Sequence, residues 1–86
     1  MRELEKQLKA LANHRRLMIL KVLKSETRLS VGEIARRIKL SFKATSKHLV
    51  ILYNANLVEK EQKNLTVCYF LRSNIPKGIR HIVEVL

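Results

Sequence analysis

Apolar residues recur every three to four positions from the N-terminus to about residue 54, which is the spacing of one helix face. The pattern predicts four helices, over about residues 2–12, 14–24, 31–38 and 42–54. Asn13 and Ser41 stand directly before the second and fourth of these, where a side-chain oxygen can accept a free backbone N–H. The second helix is apolar on most sides, which is typical of a helix at the centre of a domain.

The periodicity changes after Leu57, where polar and apolar residues begin to alternate. Residues 57–62 and 66–71 are predicted to be strands, joined by a polar turn at Lys63-Asn64 because Asn tolerates left-handed backbone. Glu26 to Leu29 is too short for a helix and is predicted to be one extended segment. A last helix is predicted over about residues 76–86. The expected fold is therefore mainly α with a small β-hairpin, in the order α-α-β-α-α-β-β-α.

The stretch from Ser30 to Leu57 has the pattern of a helix-turn-helix. Lys39 and Leu40 form the short turn between two helices, and the second helix offers Ser and Lys at its exposed start. Such a second helix is the one that enters a DNA major groove. The hairpin that follows is expected to be a wing, which lies along the DNA backbone or in the adjacent minor groove. Together these elements predict a winged helix-turn-helix.

The charge of the chain indicates what kind of partner it binds. Its 18 Lys and Arg residues against 7 Asp and Glu give a net charge of +11. A basic chain favours a polyanion, because each cation set against a phosphate releases counterions. The basic residues are scattered, which favours a basic face on a folded domain over a disordered tail. Double-stranded DNA is therefore the expected partner.

The predicted DNA contacts lie on three elements. Serine bonds to base edges or phosphates, and lysine reaches phosphates or the acceptors of guanine. Phosphate contacts from the preceding helix and the wing would position the domain without reading sequence. The start of the fourth helix supplies Ser41, Phe42, Lys43, Ser46 and Lys47, the preceding helix supplies Arg36 and Arg37, and the wing supplies Lys60 and Lys63.

Both terminal helices carry apolar stripes that a small domain is expected to leave uncovered, since a chain of this length buries only about 60% of its unfolded surface. We expect residues 1–86 to form a single domain whose terminal helices pair in a homodimer. The stripes consist of Leu4, Leu8 and Leu11 in the first helix and Ile79, Ile82, Val83 and Leu86 in the last.

Other kinds of site have weaker patterns. His81 and Glu84 have the i, i+3 spacing of half a metal site, which two chains could complete across a dimer axis; two surface residues are the plainer interpretation. His48 is expected to be a partly buried, hydrogen-bonded histidine. Cys68, the only cysteine, has no resolving partner, so a small apolar strand residue is favoured over a thiol sensor, with pairing between chains left open.

No catalytic or membrane pattern occurs in the chain. Three scattered histidines and few acids make no nucleophile–base constellation, and no glycine-rich loop is present to hold a phosphate. No apolar run approaches the ~20 residues that cross a bilayer, and the N-terminus is a charged amphipathic segment rather than a signal peptide. We predict a cytoplasmic protein that is not an enzyme and has no cofactor, no bound metal and no membrane contact.

With these elements in order, the chain resembles the ArsR-type winged helix-turn-helix regulators over roughly residues 4–86. The most specific segments are LKALANHRRLMILKVL, from Leu8 to Leu23, and LSFKATSKHLVILYNANLVEKEQ, from Leu40 to Gln62. The resemblance implies a homodimer that binds a pseudo-palindromic operator near a promoter and represses by blocking polymerase. In many members of the family an inducer releases the DNA.

Two features depart from the family pattern. Phe42 stands where members often have Gln or another polar residue, so it either contacts a thymine methyl or packs under the helix. The region that holds Cys-x-Cys ligands in metal-sensing members reads Leu29-Ser30-Val31-Gly32-Glu33 here, without thiolates. Control is then left to a partner protein, a small apolar molecule between the terminal helices, or expression level. A metal or redox sensor on this fold, and a winged-helix module for protein or RNA binding, remain the alternatives.

Overall fold

The helices and strands form in the order that the periodicity predicts. The computed structural model describes residues 1–86, which form five helices and a three-stranded antiparallel sheet. The bounds differ from the predicted ones by at most two residues at helix ends. The elements are α1 (Arg2–Leu11), α2 (His14–Ser25), β1 (Leu29–Ser30), α3 (Val31–Ile38), α4 (Phe42–Asn54), β2 (Val58–Lys63), β3 (Thr66–Leu71) and α5 (Lys77–Glu84).

Side-chain caps fix where three helices begin. Asn13 Oδ1 accepts from Arg16 N at 3.1 Å, and Ser41 Oγ accepts from Ala44 N at 3.1 Å, as expected. Helix α3 begins with a capping box that was not predicted, in which Ser30 Oγ accepts from Glu33 N and Ser30 N donates to the Glu33 carboxylate at 2.8 Å. This backbone bond is the main reason that the pKa of Glu33 lies below its usual value.

The sheet contains the predicted hairpin and the predicted extended segment before α3, which forms the short strand Leu29–Ser30. This strand pairs with Tyr69 and Cys68 of β3, a pairing that the sequence did not indicate, so the sheet has a third strand beyond the hairpin. The hairpin turn is Asn64-Leu65 instead of Lys63-Asn64, because Lys63 pairs with Thr66 in the last rung. Asn64 has φ 59°, which places it in the left-handed region as the turn requires.

The core lies where α2 contacts the other four helices and β3. Ile19, Leu20 and Leu23 of α2 are buried, which confirms that this helix is central. On α4 the predicted inner face, consisting of Thr45, Leu49 and Leu52, is fully buried. Helix α4, the predicted recognition helix, thus packs against the core on one side, and its other side faces away from the core.

The terminal helices are covered more than the sequence predicted. Leu11, Ile79 and Val83 were expected at a dimer interface, but they are 6%, 2% and 4% exposed and belong to the chain's own core. They are buried because α1 and α5 both pack against α2. Leu4 and Leu8 remain 40% and 46% exposed. Ile82 of α5 stays exposed. Beyond the end of this helix, Val85, which the prediction did not include, is exposed, and Leu86 is half-buried.

Thr45 carries a hydroxyl that finds no partner. Its side chain is fully buried, and Oγ1 forms no hydrogen bond. An unpaired buried hydroxyl retains its desolvation cost, so we expect Thr45→Val to raise the free energy of unfolding by about 1 kcal/mol. Chemical denaturation measures this change.

The matched control is Thr45→Ser, which keeps the hydroxyl and removes the buried methyl group. We expect it to lower the free energy of unfolding by about 1 kcal/mol. A loss of stability in Thr45→Val would mean that the hydroxyl has an acceptor in solution.

Candidate DNA-binding surface

The outward side of α4 is basic and free of ion pairs. Lys43 and Lys47 are exposed there, Ser46 between them is half-buried, and no carboxylate pairs with either lysine. The side chain of Ser41 caps the helix, and its hydroxyl proton remains free to donate. These residues can therefore contact an outside partner without giving up an ion pair inside the chain.

A groove joins the recognition helix to the wing. Its volume is about 790 Å³, and both elements line it. The Nζ of Lys60, on the wing, lies 4.6 Å from the centroid of the Tyr53 ring of α4. The two elements that are predicted to bind DNA therefore form one concave surface. The lining residues are Ser30, Val31, Gly32, Phe42, Tyr53, Lys60, Gln62, Leu65, Thr66, Val67 and Tyr69.

The other predicted phosphate contacts differ in their surroundings. Arg36 and Lys63 are exposed and have no ion-pair partner. Arg37 Nη1 lies 3.5 Å from Glu26 Oε2, with both side chains nearly half exposed. Because such surface pairs contribute little, a phosphate can replace Glu26 at low cost. All three side chains are thus available to an anion.

Leu65, at the tip of the wing, was not among the predicted contacts. It is 96% exposed, the most exposed large apolar side chain apart from Met1. Its position depends on the turn register, which is set by the pairing of Lys63 with Thr66. An apolar residue in a turn has no local pattern that marks it, so only the strand pairing could have identified it.

Arg16 connects the start of α2 to two other helices. Its Nε donates to the carbonyl of Ala10 at 2.6 Å, and its Nη1 lies 3.3 Å from Nδ1 of His48 on α4. A cation at the C-terminal carbonyls of α1 is favourable, which accounts for an arginine in the first turn of α2, where the helix dipole opposes it. His48 is thus partly buried and hydrogen-bonded, as predicted.

The family follows from the sequence of this same region. Residues 13–60, which run from the cap of α2 into the wing, match the profile described as "Bacterial regulatory protein, arsR family". The chain belongs to the ArsR family. It is a transcriptional regulator with a winged helix-turn-helix DNA-binding domain, which confirms the resemblance.

Relatives of this ArsR-family chain agree with that assignment. The transcriptional activator HlyU of Vibrio cholerae is 42% identical over 79 residues, which are 92% of this chain and 72% of that protein. A solved structure of HlyU from Vibrio cholerae has a TM-score of 0.82 at 38% identity, covering 96% of this chain and 86% of that one. A homodimeric winged helix-turn-helix domain from Mycobacterium bovis has a TM-score of 0.82 at 25% identity, with coverages of 96% and 73%.

We expect His48 to make the stability of this ArsR-family regulator depend on pH. Burial, followed by the charges of Arg16 and Arg15, lowers its pKa from the usual 6.5. The unfolded chain therefore binds the proton first as pH falls, so this contribution is complete above about pH 7.5 and is lost as pH falls through the ordinary histidine range. We expect wild type to lose stability between about pH 8 and about pH 5.5, as measured by denaturant unfolding.

The variant His48→Gln separates this effect from other titrations, because an amide oxygen can still accept from Arg16 without titrating. We expect its free energy of unfolding to fall less over the same pH range. Equal losses in both proteins would contradict the assignment of this pH dependence to His48.

The remaining sequence candidates lie on β3 and α5. Cys68 is a half-buried strand residue that faces Ser30 and Glu61 across the sheet. His81 and Glu84 are exposed on α5. No three His, Cys, Asp or Glu side chains are grouped so that they could hold a metal ion, and no helix is long and apolar enough to span a bilayer.

Proposed function

We propose that this ArsR-family regulator is a homodimer that binds an inverted-repeat operator and represses the promoter that contains it. Helix α4 enters the major groove, and the wing lies on the flanking backbone. The observation that carries this proposal is the free basic side of α4, which continues through a groove into the wing.

The cations on this surface divide into two roles. Lys43 and Lys47 lie near the start of α4, where residues of a recognition helix meet base edges and the nearest phosphates. Arg36, Arg37 and Lys63 contact phosphates on either side and fix the position of the domain. Serine hydroxyls at Ser41 and Ser46, and the ammonium group of Lys60, complete the contact set.

The dimer is supported by the exposed apolar residues of the terminal helices. Met1, Leu4, Leu8 and Ala12 line a shallow, mostly apolar groove on α1 with a volume of about 320 Å³. Ile82 of α5 and Val85, the residue that follows this helix, are exposed. The Mycobacterium bovis neighbour was solved as a homodimer. A two-fold dimer presents two recognition helices, which matches an inverted repeat.

Repression is proposed from occlusion, since a dimer bound across a promoter excludes polymerase from the same DNA. HlyU is named an activator, so the direction of regulation needs its own measurement. A reporter behind the selected operator should fall in activity when this protein is expressed. A rise in activity would assign the chain to activation and leave the DNA-binding proposal intact.

Selection from random duplex DNA at several salt concentrations tests the binding itself. We expect an enriched inverted repeat with half-sites centred about 10 base pairs apart, or a multiple of one helical turn. Salt-sensitive binding that enriches no sequence would contradict the proposal, because it would mean that charge alone attracts the protein to DNA.

A further inference from the structure

Phe42 is the first residue of α4, and the structure leaves its ring in solvent. The side chain is 63% exposed, and it is absent from the hydrophobic residues that pack against the core. Packing under the helix, one of the two roles open from the sequence, is therefore not its role. An aromatic ring held in water at the start of a recognition helix is placed to contact something outside the chain.

We propose that Phe42 reads the 5-methyl group of a thymine in the major groove. The inference rests on the proposed docking of α4, whose N-terminal residues would face base edges. A phenyl ring neither donates nor accepts a hydrogen bond. The thymine methyl is the one apolar feature of the base edges exposed in that groove, so it is the group such a ring can recognise.

The surroundings of Phe42 make an apolar contact favourable. The ring lines the groove to the wing together with Tyr53, Leu65 and Val67. A methyl group inserted there is therefore transferred from water into contact with several apolar side chains. Lys43 and Lys47 lie on the same helix and bind without reading this methyl group. The preference for this methyl group is thus assigned to Phe42 and not to the two lysines.

The expected effect is that of burying one methyl-sized group, a factor of about four per half-site and about fifteen for a symmetric operator. Deoxyuridine differs from thymidine only by this methyl group. Each thymine of the selected operator is replaced by deoxyuridine symmetrically in both half-sites, and affinity is measured by fluorescence anisotropy. We expect wild-type protein to bind the operator about fifteenfold more weakly when one particular thymine position, or either of two adjacent ones, carries deoxyuridine.

Phe42→Ala should bind the thymine and deoxyuridine operators equally well, and Phe42→Leu should restore part of the difference. Ile51→Ala is the matched control, because Ile51 is an exposed apolar residue of the same helix, 42% exposed, on a different side from Phe42. It should keep the full difference. Circular dichroism checks that each variant is folded.

Three results would overturn the inference. The first is that no thymine is sensitive to loss of its methyl group, and the second is that Phe42→Ala keeps the same sensitivity. The third is an unchanged sequence preference in Phe42→Gln, which should shift the contacted position towards adenine through its amide. Each of these results is compatible with binding to the selected operator and contradicts only the role of Phe42. A selection without an inverted repeat contradicts the proposed function itself.

Discussion

The double variant Lys43→Ala/Lys47→Ala is expected to lose operator affinity by about a thousandfold. A dimer presents four of these ammonium groups, and a close charge pair in water contributes about 1 kcal/mol. Neither lysine has an ion-pair partner within the chain, and both are exposed, so their removal should leave the fold intact. Affinity is measured by anisotropy on the selected operator.

Salt dependence gives this variant a second measurement. Each lost phosphate contact reduces the slope of log affinity against log salt by about 0.9, so four contacts reduce it by about 3.6. A large loss of affinity with an unchanged slope would mean that the lysines contact bases instead of phosphates.

The matched control is Lys21→Ala/Lys77→Ala. These residues lie on α2 and α5, outside the recognition helix, α3 and the wing, and both are exposed. The control removes the same charge from the dimer. A difference in operator affinity between the two double variants therefore reflects the position of the lysines and not the net charge. Equal losses in the two double variants would contradict the assignment of α4 as the reading element.

Local periodicity was sufficient to predict α4 and its two sides. Thr45, Leu49 and Leu52 recur at helical spacing, and one helix can turn all three towards a core while Lys43 and Lys47 face away. The cap at Ser41 is also local, since it involves only residues three apart. Features that depend on residues close in sequence were therefore open to prediction.

Contacts between residues that are distant in the sequence could not be predicted from local periodicity. The pairing of Leu29 with Tyr69 makes β1 a strand, and nothing in the short segment around Leu29 indicates that partner. The bond from Arg16 to His48 joins residues 32 positions apart, so the sequence shows two isolated polar residues where the structure has one connection between helices. The hairpin turn moved by one residue for a similar reason, because the rung between Lys63 and Thr66 sets its register.

The terminal helices show a further limit of periodicity. A stripe of apolar residues indicates that a helix face will be covered. It does not indicate whether the same chain or a second chain covers it. Leu11 and Leu8 belong to the same stripe of α1, yet Leu11 is covered by the chain itself and Leu8 is 46% exposed. The structure thus reduces the predicted dimer residues to the ones that are still uncovered.

Placing charge on those uncovered residues should separate the proposed dimer. We expect Leu4→Glu/Leu8→Glu to be a monomer at micromolar concentration, with a dimer dissociation constant raised at least about a thousandfold. Four carboxylates would have to leave water at the interface, and each unpaired buried ion costs several kcal/mol. In the monomer both positions are partly exposed, so the fold should be retained. Sedimentation equilibrium measures the dissociation constant.

Ile51→Glu is the control for this readout, because it adds a carboxylate at an exposed apolar residue outside the terminal helices. It should remain a dimer. The monomeric variant should also lose the preference for an inverted repeat over a single half-site, since two linked recognition helices gain affinity from binding one DNA molecule together. If Leu4→Glu/Leu8→Glu stays dimeric, the interface does not include the exposed side of α1. If it is monomeric yet binds the inverted repeat as tightly as wild type, DNA recognition does not need the dimer.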